Sequence, residues 1–394
     1  MLSVGTGSSH NTDSFAAAVE ATELALKHVA NAPSALLVFA RSTYDQHAII
    51  QGVRSVEEQA PIVGGTTAGE ITPREATPEA SVVVVAISAP SGALAHAAVE
   101  LGSSGAFEKG EELGELLQAE LGEPPAALLM MTDGLSQHTA SLVRGLRSEL
   151  GSDVQIFGAG TADEAAFRET HQLFNNLPLK QAAVALAFSG AVSVAGASAH
   201  GWNPVGLPRK VTSADGMTVR EIDGTPALAF YQEYLGASFQ EEIDEDEHLA
   251  NVAMTYPIGY RTAPEEPYIL RTPLFLEEDG SVVFAGEVPE GAEVRLMIGG
   301  KEEAHAAARH AAEEALGVLR APALALVFAS HIRPLVYGRS EAARAEINDS
   351  SDLIGSAVPL AGFYGYHELV TRAQGDQDAI TTVENGAFLV LLLR

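Results

Sequence analysis

Glycine and threonine end two apolar runs of the sequence, and their spacing suits the binding of a small anion. The runs are PIVGGTTAGE, from Pro61, and QIFGAGTADE, from Gln155. A strand that ends in Gly-x-x-Thr leaves backbone N–H groups and a hydroxyl uncovered, and such a loop can hold a carboxylate. The residues that the two loops offer to a ligand are Gly65, Thr66, Thr67, Gly160 and Thr161.

Charged side chains near these loops complete a candidate ligand-binding site. Arg41, with Ser42 beside it, follows another apolar run and offers a cation to a ligand carboxylate. Glu70 or Glu164 could hold an amino group. A structural role fits the same residues, because glycine and threonine also form turns and glutamate is favoured at helix starts. The residues alone leave both interpretations open.

A third run, PLAGFYGYHE from Pro359, is aromatic where the first two are rich in glycine and threonine. Tyr364 and Tyr366 point the same way in an extended strand, so they form either a pocket wall or part of the core. His331 and Arg333 follow a neighbouring apolar run and are the polar candidates beside it.

The same residues leave a catalytic role open as an alternative. An enzyme acting in this pocket would use Asp133, His367 or Glu368 as acid–base groups, and Asp133 and Glu368 are also candidate ligand-binding residues. An enzyme needs a nucleophile and a base within hydrogen-bond reach, whereas a sensor needs only convergent donors and acceptors.

The sequence predicts no catalytic residue, no metal site and no cofactor. It has no phosphate-binding G-x-x-x-x-G-K-[ST], no G-x-S-x-G, no H-E-x-x-H and no cysteine. The block GAGTAD, from Gly158, resembles a dinucleotide fingerprint, but Asp163 stands where a third glycine permits close helix packing. GGTTAG, from Gly64, is a second imperfect copy, so both blocks indicate a repeated turn.

The elements that must position these residues form a weak internal repeat. Apolar runs begin at Ala35, Ala127 and Leu324, and each is followed by one of the three blocks above. Without gaps, the blocks align glycine at the fourth position and glutamate at the tenth. The aligned residues are Gly64, Gly158 and Gly362, and Glu70, Glu164 and Glu368.

Each repeated unit reads as helix, strand, helix, glycine-containing strand and strand. In the first two units we expect a further strand, ALAHAAVEL from Ala93 and AVSVAGASAH from Ala191. The prediction is an α/β fold with mixed, mostly buried sheets flanked by helices and built from three strand-helix-strand units. The three aligned glycines should then occupy equivalent sheet positions.

The ends of the predicted strands should lie together, and we expect the binding site there. We expect one main pocket framed by the loop at residues 41–45, the two glycine-threonine loops, and either residues 331–333 or residues 364–368.

The charge composition of the chain limits the classes of partner that it can bind. The 394 residues carry 52 acidic and 23 basic side chains, a formal charge of −29, which disfavours nucleic acids and anionic membranes. No signal sequence is recognisable before Lys27, and the longest apolar runs have only strand length. The sequence therefore predicts a cytoplasmic protein that has no membrane span.

The ordered set of blocks resembles the FIST family of sensory domains. The resemblance rests on the three blocks together with HGWNPVG, VTSADGMTVREIDGTPAL, YPIG and DGSVVFAGEVPEGAEV, spread over roughly residues 33 to 393. It implies a signal-input module in two parts that binds small ligands such as amino acids. The chain departs from the family pattern at residues 330–333 and at TTVENGAFLVLLL, which puts family ligand contacts there in doubt.

Together these features predict a standalone sensor. The expected organisation is an N-terminal segment and helix at 1–32, a FIST N-type domain at 33–224 and a FIST C-type domain at 225–394. We expect a small polar metabolite such as an amino acid as ligand and a separate signalling protein as partner. The alternatives are an enzyme that uses the same pocket and a protein-interaction scaffold, which would expose a large apolar patch instead.

Overall fold

Three similar units follow one another along the chain, and the first is built on the apolar run from Ala35. The computed structural model describes the chain apart from residues 1, 74, 77–80, 103–104, 237–252, 265, 338–340 and 375–376. Asp13 and Asp45 accept backbone N–H bonds and begin the two helices of the first unit. Its elements are β1 Ser3–Ser9, α1 Ser14–Leu26, β2 Ala35–Arg41, α2 Gln46–Val56, β3 Ile62–Thr67, β4 Glu70–Thr72, β5 Glu75–Ala76 and β6 Val82–Ser88.

The second unit repeats this order of elements. Glycine residues with positive φ, Gly105 and Gly122, flank its first helix. Its elements are β7 Leu94–Glu100, α3 Ala106–Leu121, β8 Ala127–Thr132, α4 Thr139–Leu150, β9 Gln155–Gly160, β10 Gln172–Phe174, β11 Leu177–Leu179 and β12 Ala182–Phe188.

A mixed domain interrupts the third unit directly after that unit's first strand, β13 Val194–Ala199. A turn at Asp279-Gly280 closes one hairpin of this domain. Its elements are β14 Trp202–Asp215, β15 Thr218–Ile222, β16 Thr225–Pro226, α5 Ala227–Leu235, a 3₁₀ turn at Ala253–Thr255, β17 Ile258–Tyr260, β18 Ile269–Arg271, β19 Pro273–Leu276, β20 Val282–Phe284 and β21 Glu293–Gly299. We call residues 202–299 the inserted domain.

The third unit resumes after the inserted domain and ends on the last strand of the chain. Its elements are α6 Lys301–Val318, β22 Leu324–Ser330, α7 Arg333–Tyr337, α8 Glu341–Ile354, β23 Leu360–Gly365, β24 Glu368–Gln374, β25 Gln377–Glu384 and β26 Phe388–Leu393. The fold is therefore α/β with mixed sheets flanked by helices, as the sequence predicts.

Each unit's sheet is completed by a hairpin from another unit. The three six-stranded sheets have the orders β1-β6-β2-β3-β10-β11, β7-β12-β8-β9-β24-β25 and β13-β26-β22-β23-β4-β5. The hairpin of the second unit thus joins the first sheet, that of the third unit joins the second, and that of the first unit joins the third. We call this arrangement the hairpin exchange.

The sheet pairing corrects one expectation about strand order. The strands that begin near Ala93 and Ala191 do not extend the first two units. β7 pairs with β12 and β13 pairs with β26, so each opens the next unit. The turn before each strand carries the chain to the open edge of the following sheet, where its backbone groups find partners.

The predicted equivalence of the three glycines is confirmed. Gly64 lies opposite Val38, Gly158 opposite Met130 and Gly362 opposite Val327, in the same register of three parallel pairs. A Cβ at any of these glycines would lie 1.7–1.9 Å from the carbonyl oxygen of the paired residue. Close backbone contact therefore explains the repeated glycine.

The inner faces of the three sheets share one core. Phe39 of β2, Phe328 of β22 and Phe363 of β23 pack with ring centroids 5.0–6.1 Å apart. Alternate residues of the same strands, such as Val38 and Val327, face the helices of their own unit instead. Among the described residues no helix is both long and apolar enough to cross a membrane.

Candidate functional site

A cavity of about 300 Å³ lies where the second unit, the third unit and the inserted domain meet. We call it the main cavity because the side chains that line it include several with unpartnered buried polar atoms, not because of its size. Its walls are the loop between β8 and α4, the strands β18 to β20 with the segment after them, and the ends of β22 and β23. The residues that line this main cavity are Gly134, Leu135, Ser136, Gln137, Thr139, Ala140, Phe167, Met217, Arg271, Thr272, Leu274, Phe275, Glu277, Val283, Ala285, Gly286, Glu287, His331, Tyr366, His367 and Val383.

Several side chains that line the main cavity carry buried polar atoms without partners. Within the described residues, Thr139 Oγ1, Thr272 Oγ1 and both ring nitrogens of His331 have no hydrogen-bond partner. Thr139 and Thr272 are 3% and 2% exposed. Burial lowers the pKa of His331 to about 4, so its ring is neutral at pH 7 and has one donor and one acceptor. Unsatisfied buried groups of this kind are expected where a ligand or water supplies the missing bonds.

Stacked aromatic rings form one wall of the main cavity. The ring of Phe167 stacks on Tyr366 at 5.0 Å between centroids, and His331 meets Tyr366 edge to face at 4.8 Å. The Tyr366 hydroxyl donates to Asp163, whose carboxylate also accepts the backbone N–H groups of residues 167–169. This carboxylate therefore holds the loop that carries Phe167 against the cavity.

His367 and Arg271 both line the main cavity. Nε2 of His367 lies 2.9 Å from Thr132 Oγ1. Burial and then the positive charge of Arg271 lower the pKa of His367 to about 4, so this ring is also neutral at pH 7. Arg271 is only 5% exposed.

Two of the predicted ligand-binding residues line the main cavity, His331 and Tyr366, together with His367 from the enzyme alternative. Asp133 lines a neighbouring cavity of about 650 Å³ on the other side of residues 135–137. Its carboxylate accepts the hydroxyl of Thr170 at 2.7 Å.

Arg41 and Ser42 contact Glu164 rather than the main cavity. The guanidinium of Arg41 donates to both carboxylate oxygens of Glu164, at 2.7 and 2.9 Å, and Ser42 Oγ lies 3.4 Å away. The pair joins the loop after β2 to the loop after β9. The cation is thus bonded to a carboxylate of the protein itself.

The glycine-threonine loops are buried and bonded within the protein. The N–H of Thr66 donates to His171 O and the N–H of Thr161 donates to Thr132 O, both at 2.9 Å. A Cβ at Gly65 would lie 2.3 Å from the Thr161 side chain, and one at Gly160 would lie 2.4 Å from the His367 ring. The loops therefore bring the first and second units, and the second and third, into close contact.

Thr67 and Glu70 also bond to each other, and neither lines the main cavity. Thr67 Oγ1 donates to Glu70, and so does the hydroxyl of Ser81, the residue before β6. Burial raises the pKa of Glu70 to about 7. Sheet register makes Glu368 the equivalent residue of the third unit, because Glu70 lies opposite Phe363 and Glu368 opposite Ala159.

In the second unit the equivalent residue is Gln172, not Glu164. Gln172 lies opposite Gly65, one residue beyond the repeated glycine, as Glu70 and Glu368 do in their sheets. Its Oε1 accepts the N–H of Ala182, just as Glu368 Oε2 accepts that of Ala387. The loop before β10 is longer than those before β4 and β24, so the gapless alignment misplaced this residue.

Glu368, Tyr364 and Arg333 are buried in the third unit. Glu368 Oε1 has no partner among the described residues, because Gly365 stands where the other units have Thr67 and Thr161. Burial raises the pKa of Glu368 well above its usual value. Arg333, 0% exposed, bonds Glu346 and three backbone carbonyls, and Tyr364 packs in the core beside the helices.

Sequence reasoning missed Arg271, Thr139, Thr272 and Phe167. Their place in the site depends on the inserted domain lying near the loop before α4, and nothing in the local sequence indicates that arrangement. In the described part of the chain, no group of three or more His, Asp or Glu residues could hold a metal ion.

Comparison with known proteins assigns the chain to a family. It is 27% identical over 391 residues to the Mycobacterium tuberculosis protein MT0656, covering 93% of this chain and 94% of that one. It is also 27% identical to the Methanocaldococcus jannaschii protein MJ1623 over 153 residues, 36% of this chain and 29% of that one. A cyanuric acid hydrolase structure from A. caulinodans aligns over 100% and 99% of the two chains, at 9% identity and a TM-score of 0.38.

Two family domains match nearly the whole length. The FIST N domain matches residues 34–225 and the FIST C domain matches residues 227–371. This chain therefore belongs to the FIST family of sensory domains.

Proposed function

We propose that this protein is a sensor that binds one small polar metabolite in the main cavity. The observation that carries the proposal is the set of unpartnered buried polar atoms on Thr139, Thr272 and His331, three side chains that line the same cavity. Membership of a sensory-domain family supports the same function. The three walls come from separate parts of the fold, so a ligand can hold them together and change how they pack.

We further propose that the protein acts without catalysis and signals to a separate partner protein in the cytoplasm. A general base is normally oriented by a third group. Among the described residues His331 has no side-chain partner on either ring nitrogen, and His367 contacts the hydroxyl of Thr132 rather than a carboxylate. Amino acids are the ligand class that the resemblance implies, so they belong in the first set of compounds to be tested.

The test is a metabolite screen by thermal shift on two matched variants. Ala140→Phe adds a ring to the wall of the main cavity, whereas Ser148→Phe adds the same ring to an exposed position of the same helix. A ligand at 100 times its Kd adds roughly 2.7 kcal/mol, which raises Tm by several degrees. We expect a shift in the wild type and in Ser148→Phe, and none in Ala140→Phe. An equal shift in both variants would place the ligand elsewhere.

A further inference from the structure

We propose that the ligand of the main cavity is a small carboxylate with an apolar body, and that Arg271 binds its carboxylate. This inference rests on the proposed function and adds the chemical class of the ligand. It assigns the carboxylate to Arg271 in place of Arg41, whose guanidinium is bonded to Glu164.

Arg271 is a buried cation whose hydrogen bonds go to neutral acceptors. Nε donates to Glu287 O at 2.8 Å, Nη1 donates to Leu270 O at 2.8 Å and Val383 O at 3.0 Å, and Nη2 donates to Tyr260 Oη at 3.2 Å. Nη2 carries two N–H groups, so one of them has no acceptor among the described residues. That donor belongs to a side chain that lines the main cavity.

The charge of Arg271 is not neutralised by the protein. No carboxylate of the described residues forms an ion pair with it. Glu277, one of two carboxylates at the cavity, is exposed, and the other, Glu287, pairs with Arg144 at 3.3 Å. Both lining histidines are neutral at pH 7. A buried charge without a counter-ion is costly, so an anion is the ligand charge that stabilises this site.

The remaining walls define the rest of the ligand. Phe167, Leu274, Phe275 and Val283 give the main cavity an apolar surface, and its volume of about 300 Å³ is small for a ligand site. The hydroxyls of Thr139 and Thr272 can donate to the second carboxylate oxygen. A free amino group would bring a second positive charge beside Arg271, so we infer that recognition does not require one.

The test compares four compounds that share one phenylethyl body. The probes are 3-phenylpropionate, its amide, phenylalanine and phenethylamine, with hexanoate and hexanamide as an aliphatic pair. Binding is measured by calorimetry on the wild type. A charge-assisted hydrogen bond is about twice as strong as a neutral one, so we expect each acid to bind at least tenfold more tightly than its amide. We also expect phenylalanine to bind more weakly than 3-phenylpropionate.

Two variants then assign the effect to Arg271. Arg271→Gln should weaken binding of the acids at least tenfold and weaken binding of the amides much less. Arg261→Gln, which changes an exposed arginine of the same domain, should alter neither. The comparison of acid with amide on the wild type remains decisive if Arg271→Gln fails to fold.

Several results would overturn the inference. Equal affinity for acid and amide, or failure of every acid to bind, excludes a carboxylate ligand. Tighter binding of phenylalanine than of 3-phenylpropionate shows that the amino group is recognised. A metabolite without a carboxylate that is blocked by Ala140→Phe overturns this inference while the proposed function stands, whereas no ligand in that screen counts against both.

Discussion

Arg41 and Glu164 form a bidentate ion pair between the first two units. The side chains are 10% and 28% exposed, so solvent screens the pair only in part. Planar two-point contacts of this kind fix geometry as well as adding free energy. The pair therefore positions the loop that carries Asp163 and Phe167.

Arg41→Ala should destabilise the fold without weakening ligand binding. Removing the guanidinium leaves a partly buried carboxylate without its partner, so we expect the free energy of unfolding to fall by about 1–2 kcal/mol. Urea denaturation measures this loss, with Ser42→Ala as the control that should change little. A tenfold loss of ligand affinity at unchanged stability would instead support the ligand contact expected from the sequence.

Individual site residues were predictable only where a strand pattern marked them. His331 and Tyr366 follow recognisable apolar strands, so their place at a strand end could be expected. Arg271 ends a short strand of the inserted domain, and a buried arginine there has no local signal. Its role depends on packing against segments that are distant in the sequence.

Glu70, Gln172 and Glu368 make equivalent contacts in the three units. Each begins a hairpin strand and bonds the start of the last strand of its own unit. The neutral Gln172 shows that the position does not need a charge. Glu70 retains its proton more tightly when folded, because burial raises its pKa from 4.5 to about 7.

Glu70→Gln should change how stability depends on pH. A raised folded-state pKa contributes stability that is full below the unfolded pKa of 4.5 and is lost as pH rises towards 7. Glutamine does not titrate, so the variant should gain stability relative to the wild type between pH 5 and pH 8, by up to about 3 kcal/mol. Urea unfolding at several pH values measures the difference. If the free energies of unfolding of the wild type and the variant differ by the same amount at every pH, the prediction is wrong. The control is Glu58→Gln, which changes an exposed glutamate.

The repeat itself was the most predictable feature of the elements. Close contact between backbones leaves a glycine at the same register in every sheet, so Gly64, Gly158 and Gly362 align without gaps. The glutamate alignment succeeded in two units and failed at Glu164, because loop length is free to vary where no sheet contact restricts it.

The hairpin exchange makes the whole molecule one interlocked body. Each of the three six-stranded sheets contains strands from two units, and β13 lies before residue 225 while its partner β26 lies near residue 390. This pairing crosses the boundary between the two matched family domains. Apolar periodicity predicts strands, but it contains no information on which distant edge a hairpin will join.

The two halves of the chain should not fold separately. Fragments 1–225 and 226–394 each lack strands that complete their sheets, so open edges and apolar faces remain. We expect neither fragment alone to unfold cooperatively, and co-expression to restore one transition. Circular dichroism during urea denaturation provides the measurement. A cooperative transition in either isolated fragment would show that the exchange is dispensable.

The hairpin exchange also determines what happens while the protein is being made. The short strand β4, at Glu70–Thr72, pairs with β23, which begins at Leu360. Ribosomes add roughly 5–20 residues per second, so this strand leaves the ribosome about 15–60 s before its partner exists. During that time the first unit has an unpaired edge and the last unit has not been translated. We therefore expect the nascent chain to expose a strand edge that chaperones can shield, and we expect slower translation to lengthen that exposure.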